Sequence, residues 1–156
     1  MDANEKPLNV AFRSDEDIGK WMSNFSLTPF VLDGVEFASV EAFYVYLKLD
    51  PATRDAVRTL WGVRAKNAGK KSKLTRTSYL GKEFDLGSPE HFELVKRAIR
   101  AKLEAYPDMA KAFVATSPRT IVHDTGYAEN PATRFPGAVF CRILTELREE
   151  FAATAA

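Results

Sequence analysis

Three residues in the first third of the chain combine a carboxylate, an aromatic ring and a cation. Glu41, Tyr44 and Lys48 are spaced by three and four positions, and residues at that spacing lie on one face of a helix. Side chains of these types can together bind and activate a polar ligand. Glutamate is also favoured in a first helical turn by the unpaired backbone amides there, so a purely structural role for Glu41 stays open.

The span from residue 54 to residue 82 is strongly basic. It holds nine basic residues and one acid, which gives the span a net charge of +8 in a chain whose total is +1. The basic residues are Arg54, Arg58, Arg64, Lys66, Lys70, Lys71, Lys73, Arg76 and Lys82. Such a segment attracts anions, and phosphate groups are the usual ones. Three interpretations stay open: a site for a phosphate-bearing ligand, a solvated loop without a ligand, and a nucleic-acid surface.

Further polar residues lie in two predicted loops. Asn24 stands between aromatic residues, where its amide can hydrogen-bond a base or a ribose, or simply form a turn. Asp124, Tyr127 and Glu129 lie in an irregular loop after a short predicted strand, and such loops often hold functional groups. His123 and Asp124 are neighbours at the end of that strand, so their side chains point to opposite faces and make a poor catalytic pair.

Composition narrows the class of protein. A chain of 156 residues with 46% hydrophobic and 28% charged residues is typical of one globular domain. Because no run of about 18 apolar residues occurs, we expect no membrane partner. A single cysteine, Cys141, cannot form an internal disulfide, which favours a cytoplasmic location. With two histidines and one cysteine we expect no metal site, and without a Gly-x-Gly-x-x-Gly or Walker-type loop we expect no cofactor.

The elements that must position these residues are predicted to be mainly helical. Apolar residues around an Asp-Gly pair predict a hairpin over residues 29–37. Ser39 is the expected N-cap of the helix that carries the carboxylate, and this helix ends at Asp50. A second helix is then predicted from Pro51 to about Trp61.

The rest of the chain shows helical periodicity interrupted by short extended segments. The predicted elements are a strand within residues 8–13, a partial helix over 64–73, a loop over 75–87, helices over 88–106 and 107–115, a strand over 120–123, a loop over 124–136 and a final helix over 139–151. This pattern predicts an α+β fold: one mostly helical domain over residues 1–156 with a small antiparallel hairpin or sheet. The core is expected to end near residue 151, and residues 152–156 are expected to fray.

Residues 23–49 resemble the signature of the NADAR superfamily, which includes the YbiA-like N-glycosidases. The segment SNFSLTPFVLDGVEFASVEAFYVYLKL has the Ser-Asn-Phe, the hairpin over Asp-Gly, the Ser-Val-Glu, the aromatic pair and the lysine of that signature. AKNAGK, YPDMAKAFVAT, TIVHDTGY and RILTELR are similar to later segments, so the likeness extends from about residue 20 to about residue 150. Phe92 stands where the family usually has a tryptophan. The loop after Tyr127 has the family's acid only if Glu129 takes its place with a one-residue shift.

The resemblance implies a NADAR-like fold and the cleavage or binding of phosphorylated N-ribosides: ADP-ribose adducts, NAD-like nucleotides or ribosylamino-pyrimidine phosphates of riboflavin synthesis. On this basis Glu41 activates water or stabilises a ribosyl cation, and Asp124 or Glu129 is the second acid. The implied substrate-binding residues are Asn24, Phe25, Tyr44, Lys48, Arg64, Lys66, Lys70, Lys71, Phe92 and Tyr127.

Two alternatives to an N-glycosidase stay open. One is an ADP-ribose- or nucleotide-binding module whose catalysis is impaired. The other is a nucleic-acid-binding protein that uses residues 54–82, although only Trp61 and Tyr79 could stack on bases within that span. Nucleic acid is also an expected partner of the enzyme if its substrate is an ADP-ribosylated base.

Overall fold

A computed structural model describes residues 6–155, and helices predominate over short strands within that range. The elements in chain order are β1 (Leu8–Asn9), α1 (Asp17–Met22), β2 (Phe30–Leu32), β3 (Val35–Phe37), α2 (Val40–Lys48), a 3₁₀ helix (Arg54–Thr59), α3 (Gly62–Ala68), β4 (Arg76–Tyr79), β5 (Lys82–Asp85), α4 (Pro89–Ala105), α5 (Pro107–Val114), β6 (Ile121–Val122) and α6 (Gly137–Ala155). The predicted α+β class, mostly helical with small antiparallel strand pairs, is confirmed.

The described chain divides into two compact units. The first unit contains the residues up to Ser23 and those from Leu103 onward, and the second unit contains Asn24–Lys102. The prediction of one domain over residues 1–156 includes residues outside the described range and stays a prediction. None of the described helices is both long enough and apolar enough to cross a membrane.

The hairpin predicted before the first long helix is present in the second unit. Strands β2 and β3 pair antiparallel, with Phe30 opposite Phe37. Asp33 and Gly34 both have positive φ angles, of 50° and 79°, as a type I′ turn requires. Ser39 then caps helix α2, because its hydroxyl oxygen accepts the amide hydrogen of Ala42 at 3.0 Å. These two local signals place the start of α2 where the sequence predicts it.

The helix predicted from Pro51 to Trp61 is wrong in type and extent. The expected cap is made, since the Asp50 carboxylate accepts the amide hydrogen of Ala52 at 2.9 Å, but the chain then forms a turn and a 3₁₀ helix. Two backbone carbonyls near the end of this segment bond to the residues just before α2. The Arg58 carbonyl accepts from the amide of residue 38 at 2.8 Å, and the Leu60 carbonyl accepts from the Ser39 hydroxyl at 2.9 Å.

The loop predicted over residues 75–87 is also wrong, because β4 and β5 form a second antiparallel hairpin there. Its turn uses Leu80 and Gly81 at φ angles of 51° and 79°. A leucine rarely takes a positive φ, so the turn carries no recognisable sequence signal. The burial of Tyr79 and Phe84 stabilises the hairpin instead.

Helix α3 packs closely against α2 and brings basic residues beside it. Ala65 on α3 is fully buried. A Cβ atom added to Gly69 would lie only 2.9 Å from a methyl carbon of Val45 on α2, so a glycine permits this approach. The Ser72 hydroxyl donates to the Lys48 carbonyl at the end of α2. The middle of the basic segment is therefore held along one side of α2.

The first unit contains both strands predicted near its ends, in shorter form, and their pairing was not predicted. Strands β1 and β6 pair in parallel, with Leu8 opposite Ile121, across a sequence separation that no local pattern reveals. Phe113 of α5 and Leu147 of α6 are fully buried there. Helix α6 continues through Ala155, so the fraying expected from residue 152 is not observed up to that point, and Ala156 lies outside the described residues.

Candidate active site

The Glu41 carboxyl is buried in the first turn of α2. Only 9% of the residue is exposed. Its backbone amide donates to the Asn24 carbonyl at 2.9 Å, which ties the helix start to the loop before the hairpin. Burial raises the pKa of the Glu41 carboxyl from 4.5 to about 7, and the positive charges of Lys48 and Lys66 partly oppose that rise. The carboxyl is therefore close to half-ionised at neutral pH.

Two cations from different helices act on this carboxyl. Lys48 lies two turns further along α2, and Lys66 lies on α3. Lys48 is part-buried and Lys66 is exposed. The packing of α3 on α2 thus supplies Glu41 with a second positive neighbour that α2 alone does not offer.

Asn24, whose backbone carbonyl accepts the Glu41 amide hydrogen, also presents a buried side-chain acceptor. Its side-chain oxygen Oδ1 is buried and has no hydrogen-bond partner among residues 6–155. A buried acceptor without a donor costs about 1–3 kcal/mol, and such atoms in functional sites are commonly satisfied by a ligand or an ordered water. We call the group formed by Glu41, Asn24, Lys48 and Lys66 the Glu41 site.

Aromatic rings line the next turn of α2. The Lys48 ammonium lies 5.2 Å from the centroid of the Tyr44 ring, within the range of a cation–π interaction. Tyr44 stacks on His91 of α4, with centroids 5.8 Å apart. Phe92 also contacts His91, with ring centroids 5.9 Å apart. Glu41, Tyr44 and Lys48 therefore lie along one side of α2, as their spacing predicts.

His91 was not predicted as part of this region. It is fully buried, and its Nδ1 atom accepts the amide hydrogen of Gly87 at 2.9 Å. Burial, assisted by the charge of Lys48, lowers the pKa of His91 to about 4. The ring is therefore neutral at pH 7 and packs against Tyr44 and Phe92 as an uncharged aromatic group. The only sequence signal was a histidine in the first turn of a helix, which is equally typical of a surface position.

The basic residues divide into exposed and buried groups. The exposed ones in and after α3 are Arg64, Lys66, Lys70 and Lys71. None of these four forms an ion pair within the described part of the chain. Arg54, in contrast, is buried: its guanidinium lies 4.2 Å from the Tyr46 ring centroid and donates to the Ser78 carbonyl at 2.8 Å. Arg54 therefore belongs to the core of the second unit and not to the exposed cations of the basic segment.

Phe25, in the second unit, is half-buried, and its carbonyl accepts the amide hydrogen of Gly62 at 3.0 Å. The other three predicted residues lie in the first unit, on the exposed loop between β6 and α6. The Asp124 carboxylate accepts the amide hydrogen of Gly126 at 2.9 Å and shapes a local turn. The Glu129 carboxylate accepts the amide hydrogen of Gly137, the first residue of α6, at 2.8 Å. Tyr127 is 88% exposed. Each of the two candidate second acids thus has a local structural role.

No cluster of three or more His, Cys, Asp and Glu side chains suited to a metal ion occurs among the described residues. The chemistry that the Glu41 site can perform with its own groups is acid–base catalysis by a carboxyl that titrates near pH 7. Its two lysines add positive charge that favours an anionic ligand.

Comparisons with known proteins agree with this architecture. Residues 18–149 match the model of the family described as Bacteriophage protein GP30.3. The chain belongs to that family, which is a NADAR-type family, and the resemblance found in the sequence is confirmed.

The fold is shared with a solved structure. The NMR structure of the E. coli protein YbiA superposes with a TM-score of 0.68 at 22% sequence identity, over 99% of this chain and 92% of that one. None of the curated proteins matches the chain significantly in sequence.

Proposed function

We propose that this protein is an N-glycosidase that hydrolyses the C1′–N bond of a phosphorylated N-riboside. The observation that carries the proposal is the buried Glu41 carboxyl. Its pKa is about 7, and the charges of two lysines act on it. A general base works best when its pKa is near the operating pH. Membership of a NADAR-type family supports the same class of reaction.

The chemistry assigns one role to each part of the Glu41 site. Ionised Glu41 takes a proton from a water molecule, whose oxygen bonds to C1′ as the C1′–N bond breaks. The bonding electron pair leaves with the nitrogen, which is protonated in turn, and the carboxyl can return the proton it has taken. The products are a ribose phosphate with a free 1′-hydroxyl and the released base. The negative charge of Glu41 also stabilises the positive charge that develops on the ribosyl ring.

The cations and the amide provide binding. Lys48 and Lys66, whose charges act on Glu41, supply positive charge for the phosphate in this proposal. Exposed Arg64, Lys70 and Lys71 add to it. The unpaired Oδ1 atom of Asn24 can accept a hydrogen bond from a sugar hydroxyl or a base N–H group, which would remove the cost of leaving this acceptor buried and unpaired.

A panel of substrates tests the proposal. The protein is incubated separately with NAD, an ADP-ribosylated nucleoside and a ribosylamino-pyrimidine 5′-phosphate, and the products are identified by mass spectrometry. We expect release of a free base from at least one compound by the wild-type protein. Absence of cleavage throughout the panel would contradict the proposal.

A binding module without catalysis is the second candidate. It is favoured by the local engagement of Glu129, which caps α6 through a 2.8 Å hydrogen bond to Gly137, because such a carboxylate is less available as a second acid. This candidate predicts that ADP-ribose raises the melting temperature while no panel compound is cleaved. Product release would exclude it.

A further inference from the structure

A large aromatic side chain is exposed at the start of α3, the helix that carries Lys66 of the Glu41 site. Trp61 is the residue that precedes α3, and 48% of it is exposed. Tryptophan side chains are on average mostly buried, so an indole with this exposure is a candidate for a contact surface. Trp61 has no ring-to-ring contact within the described residues, and its exposed surface is available to a flat ligand.

The backbone on both sides of Trp61 is held in place. The Leu60 carbonyl accepts the Ser39 hydroxyl hydrogen at 2.9 Å. The Gly62 amide donates to the Phe25 carbonyl at 3.0 Å. A ring on an anchored backbone loses little conformational entropy when a ligand stacks on it.

These anchors belong to the same short segments that form the Glu41 site. Ser39 caps α2 two residues before Glu41, and Phe25 directly follows Asn24. Helix α3, which begins after Trp61, carries the Lys66 charge that acts on the Glu41 carboxyl. The backbone segments that carry Glu41, Asn24 and Trp61 are thus joined to one another by hydrogen bonds.

We infer that Trp61 is a specificity-determining residue that stacks on the base attached to C1′ of the substrate. The inference rests on the proposed function and deepens it. The base of an N-riboside is bonded to the carbon at which Glu41 acts, so a flat ring next to the Glu41 site meets the base, while the lysines meet the phosphate. Stacking tolerates every base, since each has a π-face. Trp61 therefore selects for the presence of a base and not for its identity.

Two ligands that differ only in the base test this inference. AMP and ribose 5-phosphate share the sugar and the phosphate, and calorimetry gives the affinity of each for the wild-type protein, Trp61→Ala and Trp61→Phe. We expect Trp61→Ala to weaken AMP binding about 10-fold, within the range for the loss of one base–aromatic stack, and to leave ribose 5-phosphate binding unchanged. Trp61→Phe should restore most of the AMP affinity. Val31→Ala, at an exposed apolar residue of β2, is the control and should change neither.

A spectroscopic measurement separates stacking from a structural effect. With Trp21→Phe as the background, the remaining indole emission comes from Trp61, and AMP but not ribose 5-phosphate should quench it. Equal AMP affinity of Trp61→Ala and the wild type, or equal weakening of both ligands, would overturn the inference. So would a wild-type protein that does not bind AMP. In each case, cleavage of any panel compound by the wild type would leave the proposed function standing.

Discussion

Lys48 and Glu41 stand two turns apart on the same helix, and the lysine lowers the pKa of the glutamate while burial raises it. The balance leaves that pKa at about 7, with Lys66 of α3 acting in the same direction as Lys48. A buried carboxyl without these lysines would be protonated at neutral pH and unable to accept a proton. The two lysines thus keep part of the Glu41 population ionised at the pH where a base is needed.

Replacing Glu41 by glutamine should abolish most of the turnover. The amide keeps the shape of the side chain but cannot take a proton from water, and loss of a general base costs about 10²- to 10⁴-fold in rate. We expect kcat on the cleaved panel compound to fall by that factor in Glu41→Gln. Glu36→Gln, at an exposed position of β3, is the matched control and should retain wild-type kcat. Equal rates in Glu41→Gln and Glu36→Gln would refute the role of Glu41.

The pH dependence of the reaction should report the Glu41 pKa. Because only the ionised carboxyl accepts a proton, kcat/KM should rise with pH and level off above about 7. Lys48→Met removes a positive charge that lowers this pKa, so the rising limb should move to higher pH. Lys82→Met removes an exposed lysine of β5 that is not among the charges acting on Glu41, and its profile should match the wild type. A Lys48→Met profile that coincides with the wild type would show that another group titrates.

The same carboxyl should lower the stability of the fold as the pH rises. Its pKa in the folded state, about 7, lies above the ordinary value of 4.5, so the folded state holds the proton more tightly and folding loses stability as the pH increases from about 4.5 to about 7. Glu41→Gln removes this penalty. The variant should exceed the wild type in free energy of unfolding by about 3 kcal/mol above pH 7, and much less near pH 4. Urea unfolding at both pH values measures the difference, and a gap that does not grow with pH would contradict the burial argument.

The Asp33 carboxylate should stabilise the second unit more as the pH rises, which is the opposite of the effect of Glu41. Its carboxylate accepts hydrogen bonds from Arg97 at 2.6 Å and from the Tyr79 hydroxyl at 2.7 Å. The Arg97 bond lowers the pKa of Asp33, so this stabilisation is present above the ordinary Asp pKa of 3.8 and is lost as the pH falls through the lower folded value. Asn suits the positive φ of this turn, so Asp33→Asn should isolate the charge and cost about 1 kcal/mol at pH 7, a figure reduced for partial exposure.

Asp85→Asn is the matched control for that measurement. Asp85 also bonds an arginine, Arg76, at 2.8 Å, but its side chain is 67% exposed against 22% for Asp33. Exposed pairs contribute little, so thermal unfolding at pH 7 should be nearly unchanged in Asp85→Asn. An equal loss in both variants, or a loss in Asp33→Asn that does not shrink as the pH falls below 3.8, would contradict the proposed role of the Asp33 carboxylate.

The sequence by itself determined the features that depend on neighbours along the chain. A positive-φ turn at Asp33, an N-cap at Ser39 and helical spacing from Glu41 to Lys48 are local signals, and together they place the acid, the aromatic ring and the lysine along one side of α2. The resemblance within residues 23–49 identified the family for the same reason, because these residues are contiguous.

The tertiary structure alone decided which groups are buried and which charges meet. Only the packing of α3 on α2 brings Lys66 to Glu41, and only burial moves the carboxyl pKa to about 7. Arg54 belongs to the basic segment, yet its guanidinium is buried and contacts the Tyr46 ring and the Ser78 carbonyl. Desolvation and Coulomb interactions depend on distance in space, so residues far apart in sequence set them.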